Sequence, residues 1–489
     1  MRKEVLRVEH ITYVEQGITM LQDFKLNVFE GEIMGMIPLN AFGLNSFLKV
    51  LQYNLPLYDG YIYYKGVMTD SWKDMKRVNN RITIIRDKTS LVDGQNVACN
   101  IFVLRPGFKQ EFLSFKTFRK QLQPFLDDIG ISISADLPVE KLSLFERVVV
   151  EMLRAVVANH KLIIFQELGT MLSEAELTRI HKIMRHYAEK GFSFLYISPH
   201  FEEILQVCSR AAIMRNGKII KILHDNEMDA KTLQNCTKEY DSRVRKYIDC
   251  YKKRKATEIV FEARNICGEF MENLSFQVHK GECLVIQNFD NNIFQELLQI
   301  IRKENTSFKG EFLIREKKAT LLEERKVAVI EELPTQTMLF YGMSYLDNLC
   351  FNLDHRVKVW KNRKIRKSIR KEYGEILGEQ VFDKSIGELT EMEKYELVYT
   401  RILLQKPDVV FCIQPFKGAD MAHRIKIWEM QEQLLEKEIA VVILAVNMAD
   451  ALSLADRVIR IERNTTVKEY QRKDFASLPM SIPWRHLYE

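Results

Sequence analysis

A loop that binds phosphate needs three groups in a fixed order. These are glycines whose amides can wrap the anion, a lysine that reaches the terminal phosphates, and a hydroxyl for the metal. The segment Pro38-Leu39-Asn40-Ala41-Phe42-Gly43-Leu44-Asn45-Ser46 keeps part of that order. Gly43, Asn45 and Ser46 are placed to open a helix, whose N-terminus attracts anions. The lysine position, however, holds Leu44. A second segment, Gln287-Asn288-Phe289-Asp290-Asn291-Asn292-Ile293-Phe294-Gln295, follows the same kind of strand. It has no glycine, Ile293 stands at the lysine position, and Asp290 sets like charge where phosphate would approach. The residues therefore predict weak anion binding in the first half and opposition to it in the second.

The elements that must hold these loops are written twice. Asp23-Phe24-Lys25-Leu26-Asn27-Val28-Phe29-Glu30-Gly31-Glu32-Ile33-Met34-Gly35-Met36-Ile37 reappears as Asn273-Leu274-Ser275-Phe276-Gln277-Val278-His279-Lys280-Gly281-Glu282-Cys283-Leu284-Val285-Ile286. Each copy reads as a strand, a Gly-Glu turn and a buried apolar strand. The offset recurs, with small insertions and deletions, in Asp59-Gly60 against Lys309-Gly310, in Asn100-Ile101-Phe102 against Asn348-Leu349-Cys350, in Leu142-Ser143 against Leu389-Thr390, and in Arg210 against Arg457. Such a co-linear repeat indicates duplication. Each half begins with strands, passes through a helical middle and then alternates strand and helix, which predicts an α/β fold with a mostly parallel sheet. The expected domains are 1–237 and 257–478, with a basic linker at 238–256 that carries Arg243, Arg245, Lys246, Lys252, Lys253 and Arg254, and a tail at 479–489.

Composition narrows the class. The 489 residues are 46% apolar and 28% charged, ordinary for a globular chain. Only 20 glycines and a net charge of +6 make glycine-dependent ligand loops scarce and nucleic acid an unexpected partner. Eight cysteines lie far apart without zinc spacing, so reduced thiols and no metal site are expected. No signal-peptide pattern opens the chain, and no apolar run is long enough to span a bilayer, so a membrane link would run through a partner. The segment 356–371 carries nine basic residues around Trp360 and Ile365. It reads as a solvated helix face, with an anionic surface as the alternative.

Phe194-Leu195-Tyr196-Ile197-Ser198-Pro199-His200-Phe201-Glu202-Glu203-Ile204, followed by Cys208-Ser209-Arg210-Ala211-Ala212-Ile213-Met214-Arg215-Asn216-Gly217-Lys218, resembles the switch-histidine strand and closing hairpin of a known family. That family is the fused two-cassette ATP-binding subunit of bacterial ABC importers for monosaccharides. Phe261-Glu262-Ala263-Arg264-Asn265-Ile266-Cys267-Gly268 and Gly342-Met343-Ser344-Tyr345-Leu346-Asp347-Asn348 are similar to segments of its C-terminal cassette. The resemblance implies two tandem P-loop NTPase-like cassettes, each with an antiparallel β subdomain and a helical subdomain. It also implies ATP hydrolysis in composite sites and docking to a permease.

Carried over residue by residue, most of the resemblance's chemistry is altered. The L-S-G-G-Q signatures read Leu142-Ser143-Leu144-Phe145-Glu146 and Leu389-Thr390-Glu391-Met392-Glu393. Gln166 and Ile413 replace the metal-organising Asp, and Glu167 alone keeps the water-activating carboxylate. Asp87 and Glu331 fall at the Q-loop positions. Pro199 takes the switch position and displaces His200 by one residue, which in a strand would turn its side chain to the other face. Tyr13 stands where the family sets an aromatic ring against adenine. Each survivor also has a plainer reading: Tyr13 as a strand aromatic, Glu167 as a surface carboxylate, His200 as a loop histidine.

The expected function is thus a degenerate, non-hydrolysing docking or regulatory subunit on the cytoplasmic face of the cell membrane, with a transmembrane permease or membrane sensor as partner. Weak ATP binding is confined to the first half, and Mg²⁺ lacks a ligand set. An active ATPase energising monosaccharide import is the first alternative. A soluble tandem protein acting on nucleic acid or ribosomes is the second. The groove expected to receive a partner helix would draw on Val92, Ile101, Phe102, Leu339, Phe340 and Leu349, unless these merely fill the core.

Overall fold

Ten strands of each half arrange themselves in the same order. The computed structural model describes residues 3–15, 17–69, 82–104, 115–229, 258–288, 291–302, 304, 307–319, 326–353, 359–446, 451–461 and 467–478. The expected linker, the tail and Asp290 lie outside them.

In the first unit, β1 (Glu4–Glu15), β2 (Ile18–Phe29), β4 (Asp59–Tyr64) and β5 (Val67–Met68) form an antiparallel sheet in the order β2-β1-β4-β5. A six-stranded sheet follows from β3 (Ile33–Pro38), β6 (Ile82–Ile85), β7 (Leu162–Gln166), β8 (Ser193–Ile197), β9 (Arg210–Arg215) and β10 (Lys218–Leu223). Its order is β10-β9-β3-β8-β7-β6, parallel except at β10. The helices are α1 (Leu44–Tyr53), α2 (Phe115–Ile129), α3 (Leu144–Val157), α4 (Glu174–Glu189) and α5 (Phe201–Val207). Strand β3 is buried along its whole length, as a central parallel strand covered on both faces must be. Gly35 within it lets α5 approach, because a Cβ there would lie 2.6 Å from Ile204 Cγ2.

The second unit has an antiparallel sheet, β12-β11-β14-β15, built from β11 (Ile259–Cys267), β12 (Leu274–His279), β14 (Lys309–Ile314) and β15 (Lys317–Ala319). Its larger sheet runs β16-β17-β18-β13-β19-β20, from β13 (Cys283–Asn288), β16 (Val327–Ile330), β17 (Val409–Ile413), β18 (Ala440–Ala445), β19 (Arg457–Ile461) and β20 (Val467–Gln471). Adding ten to each strand number of the first unit gives this order, read from the other edge. The helices are α6 (Asn291–Ile301), α7 (Pro334–Thr337), α8 (Tyr345–Cys350), α9 (Val359–Leu377), α10 (Glu391–Gln405) and α11 (Met421–Glu436).

The repeated residues explain the repeated fold. Glu32 and Glu282, from the two Gly-Glu turns, accept the backbone N–H of Phe29 (2.8 Å) and His279 (2.7 Å). Each also binds a buried arginine at the start of a neighbouring strand: Arg210 with Glu32 at 3.0 Å, Arg457 with Glu282 at 2.7 Å. The registers agree, Met34 lying opposite Arg210 and Leu284 opposite Arg457. Asn100 and Asn348, both fully buried, clamp the backbone eight residues earlier. Asn100 accepts from Val92 N at 2.8 Å and Asn348 from Phe340 N at 2.9 Å, and each amide donates back to the same residue's carbonyl.

The basic segment forms much of α9. Arg366 is bound to Asp347, and Arg370 pairs with Asp383 at 2.8 Å and Glu379 at 3.2 Å, while Lys364, Lys367 and Lys371 are exposed.

Candidate nucleotide site

In the first unit the loop after β3 closes on Gly43, whose φ of +81° caps α1. A Cβ there would meet Met20 O at 2.4 Å, so this position requires glycine. Leu44 does not project into the loop. It is buried in the core with Phe24, Phe47 and Leu48. The Ser46 hydroxyl donates to Glu15 Oε2 at 3.0 Å, and Lys49 pairs with Glu15 Oε1 at 3.2 Å. Hydrogen bonds from Lys49 and Ser46 hold the Glu15 carboxyl below the usual range. The chain thus brings its own carboxylate to side chains on the first two turns of α1, near the helix end that attracts anions. Asn45 follows Leu44 on the same turn and is exposed.

Tyr13 is only 9% exposed and packs in the same core, and burial raises its phenol. Glu167 has φ +54° and donates its N–H to Ile197 O at 2.8 Å. Beside it the Gln166 side chain ends in a buried Oε1 with no hydrogen-bond partner. Asp87 is exposed beyond β6. The segment next to it is held from α3, where the buried Glu151 carboxylate accepts Thr89 Oγ1 at 2.6 Å and Ser90 N at 2.5 Å. Ser143 follows Leu142, which is buried, and caps α3 in a reciprocal box with Glu146: Ser143 N donates to Glu146 Oε2 at 2.8 Å, and Glu146 N donates to Ser143 Oγ at 3.2 Å.

His200 differs from the strand-alternation expectation. Strand β8 stops at Ile197, because Pro199 has no N–H to continue the ladder and biases Ser198 against regular pairing. His200 therefore caps α5, buried, with its N–H on Ser198 Oγ at 3.1 Å.

The second unit is closed by other side chains. Ile293 and Ile413 are buried in one apolar core. Gln414, at the place corresponding to Glu167, has φ +41° and donates its N–H to Leu444 O at 2.9 Å, so both units make the same left-handed corner. Glu331 is gripped by the Arg302 guanidinium, with both carboxylate oxygens 3.2 Å from Nε. The neighbouring Glu332, which the strand registers place, instead of the expected Glu331, at the position matching Asp87, accepts from Gln414 Nε2 at 2.6 Å and Lys417 Nζ at 2.9 Å. Leu389 is buried, and Thr390 caps α10 in a box with Glu393, which also pairs with Lys384 at 2.7 Å. Val446 is buried at the place matching the switch position, and its carbonyl accepts from Gln287 Nε2 at 3.2 Å.

Several of the side chains at these positions already have partners within the chain. A hard cation wants several oxygen ligands converging on one point. Here Ile413 is apolar and in the core, Glu331 and Glu332 are bound by cations of the chain, and Ser46 is turned to Glu15. Among the described residues no group of three or more His, Cys, Asp or Glu converges on a metal position.

The residues that sequence reasoning missed are Glu15, Arg302, Glu332 and Lys417. Only the pair Ser46 and Lys49, one helical turn apart beside an acidic strand end, offered a local signal.

Of the six residues considered as groove anchors, Ile101, Phe102, Leu339 and Leu349 are buried. Val92 and Phe340 are 46% and 41% exposed. Around Phe340 lie further exposed apolar side chains, Tyr341, Met343 and Phe351, and the rings of Phe340 and Phe351 are 4.4 Å apart. Among the described residues no helix is long and apolar enough to cross a membrane.

The chain is similar to known proteins along most of its length. The ABC transporter family model matches residues 21–168. The ribose import ATP-binding protein RbsA of Clostridium tetani is 23% identical over 491 residues, covering 96% of this chain and 95% of that protein. The galactose/methyl galactoside import ATP-binding protein MglA of Fusobacterium nucleatum is 23% identical over 472 residues, covering 94% and 93%. The arabinose import ATP-binding protein AraG 2 of Burkholderia ambifaria is 24% identical over 496 residues, covering 98% and 95%. The chain is similar along nearly its whole length to ATP-binding proteins of ribose, galactose and arabinose import, and part of its first unit matches the ABC transporter family model.

Proposed function

We propose that this protein is a non-hydrolysing docking or regulatory subunit, held at the cytoplasmic face of a sugar-importer-like membrane complex by a permease or a membrane sensor. One observation carries the reading: where a nucleotide's charge would be met, the chain supplies its own groups. Glu15 is seated on Ser46 and Lys49, and Glu332 on Gln414 and Lys417. Phosphoryl transfer relies on positioned cations and donors facing the spreading charge. Leu44 and Ile293, buried in the core, cannot supply them. Any nucleotide that binds occupies the first unit, around Tyr13, Gly43, Asn45 and Ser46, at high micromolar to millimolar Kd.

The docking half of the proposal is supported by the exposed cluster of Phe340, Tyr341, Met343 and Phe351, which suits the apolar anchors of a partner helix. Binding a helix needs no ATP chemistry.

A second reading, an ATPase that energises sugar import, is favoured by the relatives' names and by the survival of Glu167. Phosphate release from ATP·Mg by purified protein separates the two. The expected rate equals that of the Glu167→Gln variant. Turnover by the wild type that Glu167→Gln abolishes would establish the second reading instead. Purification from membranes in mild detergent tests docking: a permease-like or sensor protein should accompany the chain, and recovery of a free monomer counts against it.

A further inference from the structure

The loop leaving β16 and the turn leaving β17 are joined in the second unit by a charged contact that has no counterpart among the described residues of the first. Glu332 begins the link, accepting from Gln414 at 2.6 Å and from Lys417 at 2.9 Å, and the Glu332 and Lys417 side chains are 25% and 18% exposed. The turn is shaped for it. Gln414 takes φ +41°, Lys417 N donates to Gln414 O at 3.0 Å, and Gly418 follows at φ +67°. On the facing loop Leu333 takes φ +48° and caps α7. Its Cδ2 would stand 3.4 Å from a Cβ on Gly418, so the two bends are packed together as well as paired. Glu331 is already satisfied by Arg302, which leaves Glu332 to the turn.

In the first unit the position matching Lys417 is Thr170. Its hydroxyl donates to the Glu167 carbonyl at 2.8 Å, within its own turn, and Asp87 is exposed. The carboxylate-to-ammonium contact thus belongs, among the described residues, to one unit.

We infer that Lys417 is a built-in cation that holds residues 332–338 against 414–418 with no ligand required. Two hydrogen bonds to one carboxylate, one from an ammonium, give a partly buried contact its strength. A lysine tethered to the turn also has no dissociation step. The consequence is asymmetry: the second unit is fixed in one arrangement, and ligand-driven movement of this loop is left to the first. The inference deepens the non-hydrolysing reading of the same site and rests on it.

Hydrogen exchange on the full-length protein, with and without MnCl₂, tests it. Wild type should protect amides in 332–338, with no change on adding Mn²⁺. Lys417→Ala and Glu332→Gln should each speed exchange there by about ten- to hundredfold, while exchange in β16 and β17 stays slow. Lys417→Arg should restore protection, which a side chain acting only as packing would not do. Lys417→Ala combined with Gln414→Glu replaces the ammonium by a second carboxylate. It should bind Mn²⁺, read as loss of the free-ion electron paramagnetic resonance signal, and regain protection. Unchanged exchange in Lys417→Ala, or Mn²⁺-dependent protection of the wild-type segment, overturns the inference. ATP turnover by a wild type that still shows the Lys417-dependent protection would overturn the non-hydrolysing reading and leave the internal cation standing.

Discussion

Taking the guanidinium from Arg210 would leave the Glu32 carboxylate buried without its counter-charge. Both side chains are nearly inaccessible, and the pair also ties Asn27 through Arg210 at 2.9 Å. Breaking one partner of such a pair costs about 3–5 kcal/mol, more than the intact pair contributes, because an unpaired charge remains inside. Arg210→Met should therefore lower the stability of the first unit, read from its urea unfolding curve, by that amount, and Glu32→Gln added to it should recover part of the loss. No recovery in the double variant would mean that packing, not charge, dominates. His181 sets a second residue-scale expectation. It is 3% exposed, its Nε2 finds no hydrogen-bond partner, and burial lowers its pKa to about 4. The unfolded imidazole titrates near 6.5. As pH falls below that value the unfolded chain takes up a proton that the folded chain refuses, so stability drops until about pH 4 and this contribution is then flat. The loss is about 3 kcal/mol. His181→Leu should shrink the stability difference between pH 7 and pH 4 by roughly that much, read from urea curves at each pH; an unchanged difference would show that His181 accepts its proton while folded.

At the scale of elements, the loop after each β6-type strand is governed by one buried asparagine. Asn100→Ala and Asn348→Ala each remove a two-way clamp on the backbone eight residues earlier, and each should cost about 1–3 kcal/mol. Amide exchange should accelerate at Val92 in one case and Phe340 in the other. If only one site responds, the two clamps are not equivalent in energy, whatever their geometry. These asparagines were legible in the sequence because they sit at nearly the same offset of the repeat, small insertions aside, as do Arg210 with Arg457 and the two Gly-Glu turns. The apolar strands were legible for the same reason: core positions depend on local periodicity, which one chain displays twice. The site was legible only by what it lacked. Glu15 meets Ser46 across 31 positions, and Glu332 meets Lys417 across 85. Nothing local announces such partners. The expected turn of His200 to the opposite strand face failed because it assumed that β8 continued, whereas Pro199 ends it before the alternation can count.

For the whole molecule, each unit owns its interior. Among the described residues, the apolar clusters of the first unit draw on residues between Val5 and Leu223, and one in the second on residues between Val260 and Ile461, and these clusters share no residue. Every sheet likewise takes its strands from one unit. Units of this size bury enough apolar surface to fold alone. Expressed separately, residues 1–237 and 257–478 should each give a cooperative thermal transition, and a fragment that stays molten without the other would show that the division is topological but not energetic. The same fragments locate any nucleotide. A site with a Kd near 1 mM gains about 1 kcal/mol from 5 mM ligand, which moves the melting temperature by about 2–4 °C. ATP should shift the 1–237 fragment by no more than this and leave 257–478 unmoved, because Ile293 and Ile413 are core residues and Glu331 and Glu332 are already paired. A larger shift in the second fragment would place the working site in the unit whose charges are satisfied, and the proposed roles of Glu15 and Lys417 as internal substitutes for ligand charge would fail together.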